Sequence, residues 1–318
     1  MKTRSYLGSL STFVLCLAGL GLALVPNQGR ASQMFAVTGA TGDGNLEKNA
    51  FYAIDVASGQ ATFLANATWQ DAAVTPNQLA YDGDRNALIF AEHGGEQLYS
   101  YSLSSGEMSQ LGSLTSLGLA DGFTAGGAGD YYAGRYYFSA LSAAGQNRLF
   151  SVAYDLSGQL AGARELSPLG SAESGFGALS DVAVDATTGM MYGASRIDGL
   201  NWFWRLDLNQ LDDDGFDVEL LGQIDNLYQL AFDENLNLWG NIWQSDGEIV
   251  RLDLTDGSIL QEIQLAGGDL ATEVTGDFYD LAGVPWGALA ADGQAPVPEP
   301  STACLLGLFS LLLWKRHR

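Results

Sequence analysis

Between residues 33 and 284, apolar and polar side chains follow two superimposed periods. The short period is two. Segments FYAIDVASG (51–59), LYSYSLSSG (98–106), LFSVAYDLSG (149–158), FWRLDLNQ (203–210) and IVRLDLTDG (249–257) alternate apolar with polar residues. Four of the five run into a glycine-ended turn, which predicts half-buried strands entering hairpins. A strand ending in leucine follows each: QATFL (60–64), MSQL (108–111), ARELSPL (163–169), VELL (218–221) and SILQEIQL (258–265).

The long period is near 50 residues. QLAYD (78–82), DVAVD (181–185) and QLAFD (229–233) are close copies that read as first strands, with the shorter Asp121-Gly122-Phe123 as a weaker one. Second strands follow at 87–93, 135–141, 190–196 and 238–243. The unit at 33–66 has a second strand (34–39), a third and a fourth, but no first. The missing pattern lies at the far end, in FYDLAG (278–283). Repeats of this length indicate a solenoid or a propeller. A late strand that completes the first repeat suits a closed ring, because it removes an open sheet edge. The expected fold is therefore all-β: a five-bladed β-propeller of four-stranded blades closed by a C-terminal strand. A β-sandwich is the competing architecture.

Charge sharpens this picture. The whole chain carries 37 acids and 14 Lys or Arg, but six of the bases lie outside residues 32–298, leaving 36 acids against 8 bases, a net of −28. Lys48 is the one lysine of this body. Such a surface repels nucleic acid, which needs a basic patch, and favours cations, neutral glycans or basic partners. Both cysteines, Cys16 and Cys304, fall outside the body, so an apolar core must hold the fold without disulfides.

Both ends read as sorting segments. Residues 1–31 combine Lys2 and Arg4, an apolar stretch from Leu7 to Val25, and small residues at Gly29 and Ala31, the pattern of a signal peptide with a short helix. Residues 285–296 are a Pro/Gly-rich linker. Residues 297–318 hold Pro298, Glu299 and Pro300, then an uncharged run from Thr302 to Trp314, then Lys315, Arg316, His317 and Arg318. The run predicts a short apolar transmembrane helix with its basic stop on the cytoplasmic side. Triplet, helix and basic end together resemble the PEP-CTERM sorting signal of Gram-negative exported proteins. That resemblance implies Sec export, a stay in the inner membrane, processing by an exosortase, and delivery to the cell surface or exopolysaccharide matrix.

Candidate chemistry in the body has three sources. Equivalent first-strand positions, Gln78, Asp121, Asp181, Gln229 and Asp280, should ring the propeller axis. Three carboxylates with amide oxygens suit a hard cation such as Ca²⁺; alternatively each side chain hydrogen-bonds the next blade and helps close the ring. Trp202, Trp204, Trp239 and Trp243 are the candidate stacking surface for a glycan, or else core filling between blades. The acidic stretches Asp82–Asn86 and Asp212–Gly215 read as β-turns rather than calcium loops, since neither fits the EF-hand spacing.

Catalytic signals are sparse. His93 is the sole histidine of the body, flanked by acids in a turn, and no nucleophile-elbow, zinc-binding or nucleotide motif occurs. The sequence therefore predicts a non-enzymatic binding or scaffolding module for polysaccharide or surface protein, requiring no cofactor. A Ca²⁺-dependent hydrolase or lactonase is the alternative; an ice-binding role lacks the flat Thr-rich repeat it would need.

Overall fold

The structure is a computed structural model and describes residues 33–40, 45–154, 158–166, 178–197, 199–211, 217–242, 247–267, 272–274 and 278–284. The segments expected to be a signal peptide (1–31), a linker (285–296) and a C-terminal sorting signal with its short apolar helix (297–318) lie outside the described residues. Among those described, no helix is long and apolar enough to cross a membrane.

Five antiparallel four-stranded blades form the body. From the axis outward, blade 2 is Pro76–Asp82, Ala87–Glu92, Gln97–Ser102 and Met108–Ser113. Blade 3 is Thr124–Tyr132, Arg135–Leu141, Asn147–Tyr154 and Leu160–Leu166. Blade 4 is Ala178–Asp185, Met190–Ile197, Leu200–Asp207 and Glu219–Gln223; blade 5 is Leu227–Phe232, Leu238–Ile242, Glu248–Leu252 and Ile259–Gln264. Blade 1 is composite. Its Gln33–Val37, Ala50–Asp55 and Gln60–Asn66 strands receive Asp280–Gly283 as the innermost strand, with Val37 opposite Asp280 and Met34 opposite Gly283. The borrowed late strand thus stands where the repeat pattern placed it, and the sandwich alternative falls away.

Alternation has a particular meaning here. Five apolar clusters fill the five spaces between neighbouring blades, so successive residues of one strand serve different clusters. Met34 and Ala36 pack toward blade 5, whereas Phe35 and Val37 pack toward blade 2. Inner strands are consequently buried on both faces: every residue of Pro76–Asp82 is buried. The outermost strands are the ones that meet solvent, and there even large apolar side chains such as Leu220, Ile259 and Leu260 are exposed.

The turns explain much of the acidity. Aspartates ending first strands (Asp82, Asp185, Asp233) and third strands (Asp55, Asp207, Asp253) each accept the backbone N–H two residues on, at 2.8–3.0 Å. These are Asx-type turns, which a short carboxylate side chain builds without a glycine. Asp82 also pairs with the Arg85 guanidinium at 2.7 Å, so the 82–86 stretch is a structural turn. Asp212–Gly215 lies outside the described residues.

Two features were not foreseen. A small hairpin joins Thr68–Trp69 to Ala72–Ala73. After blade 5, Ala266–Gly267 pairs in parallel with the outer edge of blade 1 at Gln60 and Ala61, and Thr272–Glu273 pairs onto it. The connection that carries the chain toward the closing strand thereby covers an edge that would otherwise stand open.

Candidate functional site

The predicted axial ring exists at four of its five positions. Gln78, Asp181, Gln229 and Asp280 are all at most 1 % exposed. Asp121 is the exception: it is exposed in a turn ahead of its blade. The innermost strand of blade 3 is Thr124–Tyr132, and its register against Arg135–Leu141 puts Ala128 at the ring position. Asp130 stands two residues on, where other blades have alanine. The short Asp121-Gly122-Phe123 echo misled because the true strand is glycine-rich.

What the ring does follows from its bulges. In blades 2 to 5 the register of the innermost strand slips beside the ring position. A bulge turns backbone N–H groups away from the ladder, and buried donors need acceptors. For Leu79 and Leu230 the acceptors come from the preceding blade, and for Gly129 the acceptor is Asp181 Oδ1 of the following one. Asp280 Oδ2 accepts Leu79 N–H at 2.5 Å, joining blade 1 to blade 2. Asp130 Oδ2 accepts Val184 N–H at 2.6 Å, joining blade 3 to blade 4. Asp181 Oδ2 accepts Leu230 N–H at 2.7 Å, joining blade 4 to blade 5. The amides complete the circuit: Gln78 Nε2 donates to the Ser139 carbonyl of blade 3, and Gln229 Nε2 to the Tyr279 carbonyl of blade 1. Each blade therefore clasps the next by one polar side chain.

Electrostatics of the axis are those of enclosed acid. Burial, and then the neighbouring Asp280 carboxyl, hold Asp181 well above the usual carboxylate range, against the backbone N–H bonds it accepts. Burial likewise holds Asp280 well above that range, and Asp181 lies within its hydrogen-bonding reach. Two carboxyls this close cannot both ionise cheaply, and a proton held between them relieves the repulsion. Burial raises Asp130 to about 7. The same burial, with these three carboxyls nearby, pushes the Tyr136 phenol up. Tyr136 donates to the Gln78 carbonyl at 2.7 Å.

A hard cation is only partly suited to this ring. Gln78 Oε1 and Gln229 Oε1 are buried acceptors without a partner, which a cation would satisfy. Against it, both oxygens of Asp181 and of Asp280 already accept backbone N–H groups. Among the described residues, no group of three or more Asp, Glu, His or Cys is placed to hold a metal ion.

Two of the four tryptophans, Trp204 and Trp239, are core residues and not a stacking face. Trp204 is fully buried, lies where a Cβ on Gly193 would have to go, and donates to Ser195 Oγ at 2.8 Å. Trp239 is 4 % exposed and donates to Asp233 Oδ2 at 2.9 Å. Trp202 is half-buried on the same strand as Trp204, and Trp243 lies outside the described residues. Core filling between blades is what Trp204 and Trp239 do. His93 is exposed, and its Nδ1 faces the Asn77 amide at 3.1 Å.

A different site emerges where the ring closes. Between blades 5 and 1 lies an open groove of about 350 Å³. One wall is the turn Val56–Gly59 of blade 1. The other is a row across blade 5, where Trp239 pairs with Arg251 and Arg251 with Gln261. Asn235, Asn237 and Gln264 add further amides. The lining carboxylate, Asp233, is occupied by Asn235 N–H, Asn237 N–H, Asn237 Nδ2 and Trp239 Nε1. Sequence reasoning missed this groove because its walls lie about 200 positions apart and meet only on closure.

No family model matches the chain, and no curated protein matches it. Several solved structures are similar in fold. A calcium-binding protein, regucalcin from Agrobacterium tumefaciens, is 16 % identical, with 69 % of this chain and 68 % of that one covered at a TM-score of 0.42. The periplasmic gluconolactonase PpgL of Pseudomonas aeruginosa is 14 % identical over 75 % and 69 %, also at 0.42. A chain of a nidogen/laminin complex is 11 % identical over 79 % and 97 %, at 0.43. Likeness at this level assigns neither ligand nor reaction.

Proposed function

We propose that this chain is an exported β-propeller sorted through its C-terminal segment, whose body binds glycan at the cell surface or in the surrounding matrix without transforming it. The observation that carries the binding reading is the groove between blades 5 and 1. It combines side-chain amides and the Ser58 hydroxyl with apolar surface from Val56 and Ile263. Sugar hydroxyls need donors and acceptors in one place beside apolar patches, and this lining supplies both. Catalysis is disfavoured by the same lining. Glycoside hydrolysis uses two carboxyls flanking the bond, and the groove offers Asp233 alone, with its oxygens already engaged.

The address rests on the terminal segments. Pro298, Glu299 and Pro300 would be read by an exosortase while residues 302–314 hold the chain in the inner membrane. The direct test of the binding reading is a glycan array on the purified full chain, followed by calorimetry on any hit. Saturable binding without product formation is the expected result; failure of every glycan to bind would end it.

A second reading is a cation-assisted hydrolase or lactonase, favoured by the unpartnered oxygens of Gln78 and Gln229 beside the Asp181–Asp280 pair. Metal-dependent turnover on an ester, lactone and glycoside panel would establish it in place of the first.

A further inference from the structure

We infer that the groove between blades 5 and 1 selects sugars bearing a carboxylate, and that Arg251 is the residue that reads it. The inference rests on the glycan reading above and narrows it to a ligand class.

Arg251 lies one residue before the end of the third strand of blade 5, paired with Trp239 on one side and Gln261 on the other. Directly opposed residues of an antiparallel sheet point to the same face. Trp239 from that row packs into the cluster shared with Tyr52 and Ile54 of blade 1, so Arg251 and Gln261 face the groove. The Nε of Arg251 is buried and finds no hydrogen-bond partner among the described residues. The ion pairs found there, Arg85 with Asp82, Arg148 with Glu165 and Arg205 with Glu219, do not involve it.

An unpartnered guanidinium N–H is costly wherever it occurs. It is unexpected in a body with 36 acids and 8 bases, where acidic partners are abundant. Asp233, the carboxylate that lines the same groove, accepts the Asn235 and Asn237 N–H groups and Trp239 Nε1. The buried Nε lies out of a ligand's reach, and what Arg251 brings to the groove lining is the outer edge of its guanidinium, among polar groups that are mainly neutral amides.

The chemistry that fits is a single planar oxyanion. Guanidinium presents a flat fork of donors that matches a carboxylate in two parallel hydrogen bonds. A multiply charged phosphate or sulfate chain would gain the same contact but meet the strongly negative surface around it. A sugar ring carrying one carboxylate places its hydroxyls against Asn235, Asn237 and Gln261 while its charge meets Arg251.

The test titrates the full chain with a trisaccharide that carries one galacturonate, its methyl ester and a multiply sulfated trisaccharide, at low and high salt. The free acid should bind roughly tenfold or more tighter than the ester, as expected for charge-assisted hydrogen bonds. Arg251→Gln should abolish that preference and its salt dependence, while Asn235→Ala should weaken acid and ester alike. Equal affinity for acid and ester overturns the inference and leaves glycan binding intact. So does a sulfated ligand that matches or exceeds the carboxylate. Absence of binding across neutral and acidic sugars removes both the inference and the reading beneath it. The acid-to-ester comparison needs no variant, so a misfolded Arg251→Gln protein leaves the test decisive.

Discussion

The carboxylate of Asp280 accepts the backbone N–H of Leu79 at 2.5 Å, across a separation of 201 residues. Its other oxygen accepts the N–H of Leu281, so one side chain links the last strand of the body to the first complete blade. Asp280→Ala strands both buried donors, each costing about 1–3 kcal/mol. Denaturant unfolding should report a loss of about 2–4 kcal/mol, with Asp280→Asn intermediate. Removing residues 280–283 altogether should abolish cooperative unfolding.

Acidity at the axis sets a pH dependence. Asp130, Asp181 and Asp280 have carboxyls raised by burial, Asp130 to about 7. An unfolded aspartate releases its proton near ~3.9. Above that pH the native state holds protons that the unfolded chain has lost, so stability falls as pH rises. The contribution is complete below the unfolded value and, for Asp130, gone above about 7. Melting temperatures between pH 4 and 8 should therefore decline, and Asp130→Asn should flatten the part that ends near neutrality. A melting temperature that rises throughout this window contradicts the assignment.

Gly129 tests how tightly the blades converge. A Cβ there would lie 2.4 Å from the Gln78 carbonyl oxygen, the acceptor of the Tyr136 hydroxyl. Gln78 is itself held at φ 58°, a left-handed conformation that offers little room to yield. Gly129→Ala should cost about 2 kcal/mol or more by overpacking. The same unfolding assay would detect it.

Calcium and proton are rival ways to satisfy the Asp181–Asp280 pair. If a proton suffices, neither added Ca²⁺ nor chelator shifts the melting temperature at neutral pH. A Ca²⁺-dependent rise that Asp181→Asn abolishes would instead place a cation among Gln78, Asp181, Gln229 and Asp280. The structure favours the first outcome, because the carboxylate oxygens already accept backbone N–H groups.

Replacing Pro298, Glu299 and Pro300 by alanine should leave the chain in the inner-membrane fraction. The parent should appear at the surface or in the medium. Unchanged fractionation would remove the exosortase step from the proposal.

The blades were legible because four of the five inner strands copy a short motif, and 278–283 completes it at the wrong end of the chain. In blade 3 the inner strand alone was misplaced, because Thr124–Tyr132 is built of glycine and alanine where the others carry the motif, and Asp121 sits close to where the motif should begin. The sequence left Trp204 and Trp239 between stacking surface and core, since aromatic content does not say which way a side chain faces in a sheet covered on both sides. Trp239 proves to fix an Asx turn through Asp233. The groove beside it had no local signature. Its walls come from 56–59 and 235–264, and only the closed ring makes them neighbours.

That dependence reaches into biosynthesis. During translation the blade 1 wall emerges first and stays without its counterpart until blade 5 and the closing strand have followed. A chain cut short before Gly283 would carry Arg251 but no assembled recess around it. Ligand capture would then report that the closing strand is in place, and occupancy would hold the joint between blades 5 and 1 shut.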